Sequence, residues 1–145
     1  MQQTIDHRGP DDSDVVVLDQ AALGMNRLAI VAPEIRSTIQ STRDHILFAV
    51  FNGEIVNHVA LRDKLKNPPR INDGDSAIIL PLFEEFGEKY VEKLAGMFAI
   101  AIYDQLKGTL QLSRDPLGIK PLYYAHVDGR VIFSSEAKAV CAVMD

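Results

Sequence analysis

Apolar positions along this chain follow two different periods. Ile46–Phe51 and Met97–Tyr103 are short continuous apolar runs containing aromatic residues, as buried strands are. The second is apolar on both alternating faces, so it should be a central strand covered on both sides. Val15–Leu18, Leu23–Ile30, Thr109–Ser113, Leu122–Val127 and Val131–Ser134 read as further strands, with turns at Asp19-Gln20 and Asp128-Gly129. Elsewhere the spacing is helical. Ile55, Val59, Leu61 and Leu65 predict a helix over 54–66, ended by Asn67-Pro-Pro-Arg70. Ile78, Ile79, Leu82, Phe83 and Phe86 predict a second over 77–86, N-capped from the Asn72–Ser76 turn and stopped at Gly87. Pro81 lies inside that pattern and should bend or split it. Glu88–Leu94 reads as a short helix, and a last one starts at Ser135 or Glu136 and runs through Val140 and Val143. His7–Asp14, Pro33–Asp44 and Asp115–Pro121 read as loops.

Strands in two groups with two helices between them make an α+β class with an antiparallel core. At the junction of the 46–51 strand and the 54–66 helix stands Asn52-Gly53-Glu54, read as a sharp turn. Such a turn leaves a side-chain amide and a backbone N–H together at a strand end, and two convergent uncharged donors are what an oxyanion hole requires. An isolated Asn-Gly more commonly only relieves backbone strain.

Composition narrows the remaining choices. A chain of 145 residues fits one domain over 1–145 and can bury roughly 70% of its unfolded surface. The net charge of −5 gives no support to nucleic-acid binding. Cys141 is the only cysteine and reads as a small core hydrophobe, so a reducing compartment, the cytoplasm, is expected. No apolar run approaches the roughly 18 residues of a membrane span. His7, His45, His58 and His126 lack metal-ligand spacing, and there is no Gly-rich phosphate cradle. Neither a metal nor another cofactor is expected.

Seven motifs then occur in order: His7-Arg-Gly-Pro-Asp-Asp12, Leu23–Val31, Phe51-Asn-Gly-Glu-Ile-Val-Asn57, Gly74-Asp75, Leu94–Asp104, Ser113–Tyr124 and Phe133–Ala139. Together they resemble the glutaminase domain of glutamine-dependent asparagine synthetase, a class II (N-terminal nucleophile) amidotransferase, over nearly the whole chain. The resemblance implies a four-layer αββα sandwich and hydrolysis of glutamine, with ammonia passed to an ATP-using synthetase domain. It implies that Arg27 clamps the α-carboxylate of glutamine and Asp75 its α-ammonium. Asn52 and the N–H of Gly53 would form the oxyanion hole, Glu54 would line the pocket, and the backbone of Ile30 and Val31 would add contacts.

The family's N-terminal cysteine nucleophile, and the first strand that carries it, have no counterpart before His7 in this sequence. The expectation is therefore a domain that keeps the glutamine pocket but is inactive as it stands. Its alternatives are a fragment of an active synthetase, or a scaffold module that binds a synthetase-like subunit, as β-lactam synthetases keep the scaffold without the cysteine. Expected partners are glutamine or a related amino acid and an ATP-dependent synthetase domain or subunit. A sandwich short of an inner strand should either self-associate into a homo-oligomer or cover the exposed edge with a neighbouring segment.

Overall fold

The computed structural model describes residues 1–28, 39–70 and 73–144. Among the described residues eight strands form in chain order: β1 (Asp12–Val17), β2 (Ala22–Arg27), β3 (Gln40–Ser41), β4 (Leu47–Ile55), β5 (Gly96–Asp104), β6 (Thr109–Arg114), β7 (Tyr123–Val127) and β8 (Arg130–Ser134). Their helices are α1 (His58–Arg62), α2 (Ile79–Phe86) and α3 (Ala137–Cys141), with 3-10 segments at Gln2–Arg8, Asp75–Ile78 and Gly87–Lys93. The named strand pairs are all antiparallel, in three sheets: β1-β2, β3-β4-β5-β6 and β7-β8. A mixed α/β chain with antiparallel sheets is what the apolar periods predicted.

The four-stranded sheet is the centre because β5 is apolar on both faces and can be covered on both. Phe98, Ile100 and Ile102 turn to one side with Leu47, Ala49 and Ile55 of β4. There they meet Ile78, Ile79, Leu80, Leu82 and Tyr90 from the helical segments. Tyr103 of β5 and Phe48 of β4 turn to the other side, where Leu23, Met25 and Phe133 of the two hairpins pack. The period-2 alternation along β4 and β5 thus separates a helical layer from a layer of hairpins. Burying each large aliphatic side chain contributes about 1.5–3 kcal/mol.

Pro81 behaves as its position demands. The segment splits into a 3-10 turn over Asp75–Ile78 and an α-helix from Ile79, with Pro81 in the first turn of the α-helix. There its missing N–H costs no intrahelical bond. Gly87 closes the helix at φ 58. The turn between β7 and β8 has positive φ at both Asp128 (50) and Gly129 (75), the conformation an Asp-Gly hairpin requires.

Several expectations are corrected. Asn52-Gly53-Glu54 is not a turn: β4 runs through it, in register with β5 as far as Ile55 opposite Gly96. The helix predicted over 54–66 shrinks to α1, because the strand takes Glu54 and Ile55 and Val56 N–H still donates to Ala95 O at 2.9 Å. Asp12–Asp14, read as loop, belong to β1, since pairing with Met25–Arg27 extends the strand. Gly74 occupies the N-cap of the Asp75–Ile78 segment, with no side-chain cap bond among the described residues. Cys141 is exposed rather than core, because α3 buries the face carrying Ala139 and Val140.

Candidate functional site

The Asn-Gly-Glu segment lies where two glycine backbones meet. Gly53 has φ 154 and Gly96 φ 149, a region open mainly to glycine. A Cβ on Gly53 would stand 2.1 Å from Met97 O, and one on Gly96 2.1 Å from Glu54 O. Both glycines are therefore required by the close approach of β4 and β5.

Hydrogen-bond parity fixes where the Gly53 amide points. Phe98, the partner of Gly53, exchanges its bonds on the β6 side: its carbonyl accepts from Asp115 N–H at 2.8 Å. Bonds in an antiparallel ladder alternate, so Gly53 and Ile55 direct their N–H groups away from β5. The Ile55 N–H donates to Asp75 Oδ2 at 2.7 Å. The Asp75 carboxylate therefore sits on the strand edge toward which the Gly53 amide also points, two residues along. At about 3.4 Å per residue the two N–H groups stand ~7 Å apart, the reach of an extended γ-amide amino acid.

The opposite face of β4 closes a cavity. Side chains alternate, so Val50 and Asn52 face the hairpin layer beside Ala99 and Ala101 of β5. These small residues floor a space of about 510 Å³ between β2 and β8, with Met25, Val131 and Phe133 on its walls. The first 3-10 segment covers part of it through Gln2 and Ile5. Gln2 Nε2 donates to Asp14 O (3.2 Å) and Met25 O (3.1 Å), and Asn26 Nδ2 donates to Gln2 O (3.2 Å) and to Asp6 Oδ1 (2.9 Å). Asn26 Oδ1, also buried there, has no hydrogen-bond partner among the described residues.

The predicted site residues are thus partly assembled. Asn52, Gly53 and Glu54 are consecutive on β4, and Asp75 is bonded to the same strand. Arg27 ends β2 in a different sheet, with its carbonyl accepting from Asp11 N–H at 3.1 Å, and is not among the described residues lining the cavity. Ile30 and Val31 lie outside the described residues. Cys141 is not among the described lining residues either. Among the described residues no three His, Cys, Asp or Glu side chains cluster as a metal would need.

Spacing alone did not reveal the side chains that brace this region. Asn57 donates to Lys93 O and accepts from Ala95 N–H, both at 2.9 Å, gripping the link into β5. Asp115, 4% exposed, accepts from Phe98 N–H (3.2 Å), Ile119 N–H (2.9 Å) and Lys120 N–H (3.0 Å). Burial works to raise its pKa, but those three N–H groups and the Arg114 charge outweigh it and hold the carboxyl below its usual range. Glu136 ties the first 3-10 segment to α3 through His7 (2.8 Å) and Arg8 (3.3 Å), with Lys138 at 3.1 Å. The Lys138 bond, helped by His7 and Arg8, lowers its pKa to about 2 against the opposing effect of burial. The one available signal was that each braced residue falls inside a motif.

The full chain, residues 1–145, matches a family model described as a glutamine amidotransferase domain. The chain belongs to that family. This amidotransferase domain is 37% identical over 97% of its length to glutamine-hydrolysing asparagine synthetase 1 of Bacillus subtilis (strain 168). It is 38% identical over 97% of its length to glutamine-hydrolysing asparagine synthetase 3 of Arabidopsis thaliana, and 38% identical over 94% to glutamine-hydrolysing asparagine synthetase B of Escherichia coli (strain K12). The amidotransferase chain spans only 22%, 24% and 25% of those three relatives, respectively. No described helix is long and apolar enough to cross a membrane.

Proposed function

We propose that this amidotransferase domain binds glutamine along the edge of β4, as the glutaminase part of an asparagine-synthetase-type system. The observation that carries the reading is the 2.7 Å bond from Ile55 N–H to Asp75, which ties a carboxylate to the strand bearing Asn52 and Gly53. A zwitterionic amide needs an anion for its ammonium, a cation for its carboxylate and donors for its amide oxygen. Asp75, Arg27, and Asn52 with the Gly53 N–H supply these three, Glu54 lines the polar end, and the backbone of Ile30 and Val31 adds contacts.

The reading extends to the fold and the nucleophile. The cavity separates β2 from β8, each the edge of a two-stranded sheet. A strand added there would join the hairpins into a second sheet and complete a four-layer αββα sandwich of the N-terminal nucleophile type. It would also pass beside Asn52, where an attacking group is needed. Cys141, exposed on α3, does not supply one. The 145 residues alone, one domain in this reading, therefore bind glutamine without hydrolysing it. The ammonia acceptor is an ATP-dependent synthetase domain or subunit, and the cytoplasm is the compartment.

Calorimetry with glutamine, glutamate and asparagine tests the pocket. Binding of glutamine at millimolar concentration or better, weakened by Asp75→Asn and by Arg27→Ala, is expected; no binding of any of the three sinks it. Ammonia release from glutamine that vanishes on Asn52→Ala would refute the missing nucleophile. The fragment reading has one observation in its favour, the fourfold greater length of the matched relatives. An in-frame Met-Cys-Gly-Ile start upstream of Met1 in the coding DNA would establish it, and an in-frame stop there would remove it.

A further inference from the structure

The loop after β6 meets the sheet directly behind Gly53. Asp115 both accepts there from Phe98 N–H at 3.2 Å and donates its own N–H to Phe98 O at 2.8 Å. Phe98 is the residue in register with Gly53, and its Cα would lie 2.7 Å from a Cβ at that position. No side chain cushions the contact, so a displacement of Phe98 passes straight into the Gly53 backbone.

A carboxylate that served only its own loop would need only the Ile119 and Lys120 N–H groups. The loop has a second internal tie in any case, from Arg114 Nη2 to Gly118 O at 3.0 Å. The bond to Phe98 is different in kind. It prolongs the β5–β6 ladder past Arg114 opposite Ala99, the last paired residues, using a side chain as acceptor. Phe98 sits opposite Gly53, one of the two glycines that the close approach of β4 and β5 requires, and the loop holds it there through a charged acceptor.

We propose that Asp115 is a positioning residue for the oxyanion donor: through Phe98 it sets where the Gly53 N–H points. It touches no ligand. The inference rests on the glutamine-pocket reading, because it gives the Gly53 amide its role. Donors of this kind must stand about 2.7–3.1 Å from the developing charge and be held there to within about 0.5 Å, so a small relaxation of β5 is enough to matter.

The test compares the isotope-labelled 145-residue chain with Asp115→Asn, Asp115→Glu and Arg114→Ala. In Asp115→Asn the amide NH₂ meets a backbone N–H that the carboxylate had accepted. The expected result is a displaced Gly53 amide resonance and faster hydrogen exchange at Gly53, with glutamine affinity lowered about tenfold. Arg114→Ala cuts the other loop tie and should leave both Gly53 and the affinity as they are. Asp115→Glu keeps the charge on a longer arm and should displace the Gly53 resonance less. It decides the matter if the Asn variant does not fold. An unmoved Gly53 resonance in the folded Asp115 variants, or an equal displacement in Arg114→Ala, overturns the proposal. Failure of the unsubstituted chain to bind glutamine would sink the pocket reading, while the Gly53 comparison would still decide what Asp115 does.

Discussion

Replacing Gly53 by alanine isolates the energetic consequence of the tight β4–β5 crossing. The backbone at φ 154 is one that side chains rarely adopt, and holding alanine there costs about 1–3 kcal/mol. The added methyl would also stand 2.1 Å from Met97 O, which is backbone in the middle of the sheet and has no rotamer to give way. Forcing that space open adds about 1–3 kcal/mol, as overpacking does. The total, ~2–6 kcal/mol, is a large part of the roughly 5–15 kcal/mol that holds a domain folded. Urea denaturation followed by far-ultraviolet circular dichroism would read the middle of that range, ~4 kcal/mol, as a midpoint lowered by about 2 M at a slope of about 2 kcal/mol per molar urea. Gly129→Ala is the control, since Gly129 also has positive φ, 75, but nothing within 4 Å of its would-be Cβ. It should lose only the left-handed penalty, about 1–2 kcal/mol. A Gly53→Ala variant within about 1 kcal/mol of that control would show that β5 yields, and the crossing would not be the rigid feature described.

Three further outcomes follow from single side chains. Asn57→Ala removes both 2.9 Å bonds to the Lys93–Ala95 link and should cost about 1–3 kcal/mol by the same denaturation assay, with Asn57→Asp, which keeps the acceptor, losing less. Burial pushes the Tyr90 phenol up to about 12 from 10.0, against the opposing Ser113 bond, so its contribution is whole below pH 10.0 and is lost as the pH rises toward 12. Tyr90→Phe should remove that alkaline loss, and an unchanged alkaline limb would contradict it. Glu136, held at about 2 against a usual 4.5, stabilises the fold above pH 4.5 and loses that effect as the pH falls toward 2. The stability gap between the native chain and Glu136→Gln should accordingly be widest near neutrality and close at the acid end.

Much of this fold was legible because apolar period decides it. The doubly apolar β5, the split at Pro81, the stop at Gly87 and the Asp-Gly hairpin all follow from local chemistry. The Asn-Gly turn failed for a tertiary reason. Local preference favours a turn at Asn52-Gly53, but pairing with β5 rewards an extended chain, and Gly96 opposite makes room for it. Cys141 was misplaced because a five-residue helix gives too little pattern to fix which face is buried. Asn52, Gly53, Glu54 and Asp75 were picked out through motifs, and hydrogen-bond parity put the Gly53 amide and the Asp75 carboxylate on one strand edge. The supports at Asn57 and Asp115 stayed hidden because a side chain bonded to a distant backbone leaves no periodic trace.

The hairpin layer also has a timetable. Translation delivers β1 and β2 together, and their Leu23–Met25 face is ready to dock as soon as the hairpin closes. Phe48 of β4 reaches it first, but its dock is complete only with Tyr103 of β5, eighty residues after Leu23. At about 5–20 residues per second, that partner emerges roughly 4–16 s later. Hairpins close in microseconds, so for all that time the nascent chain carries an apolar hairpin face that is not fully covered. Ribosome-bound chaperones should therefore hold this protein longest between the synthesis of β2 and that of β5, and pausing translation in that window should increase its aggregation.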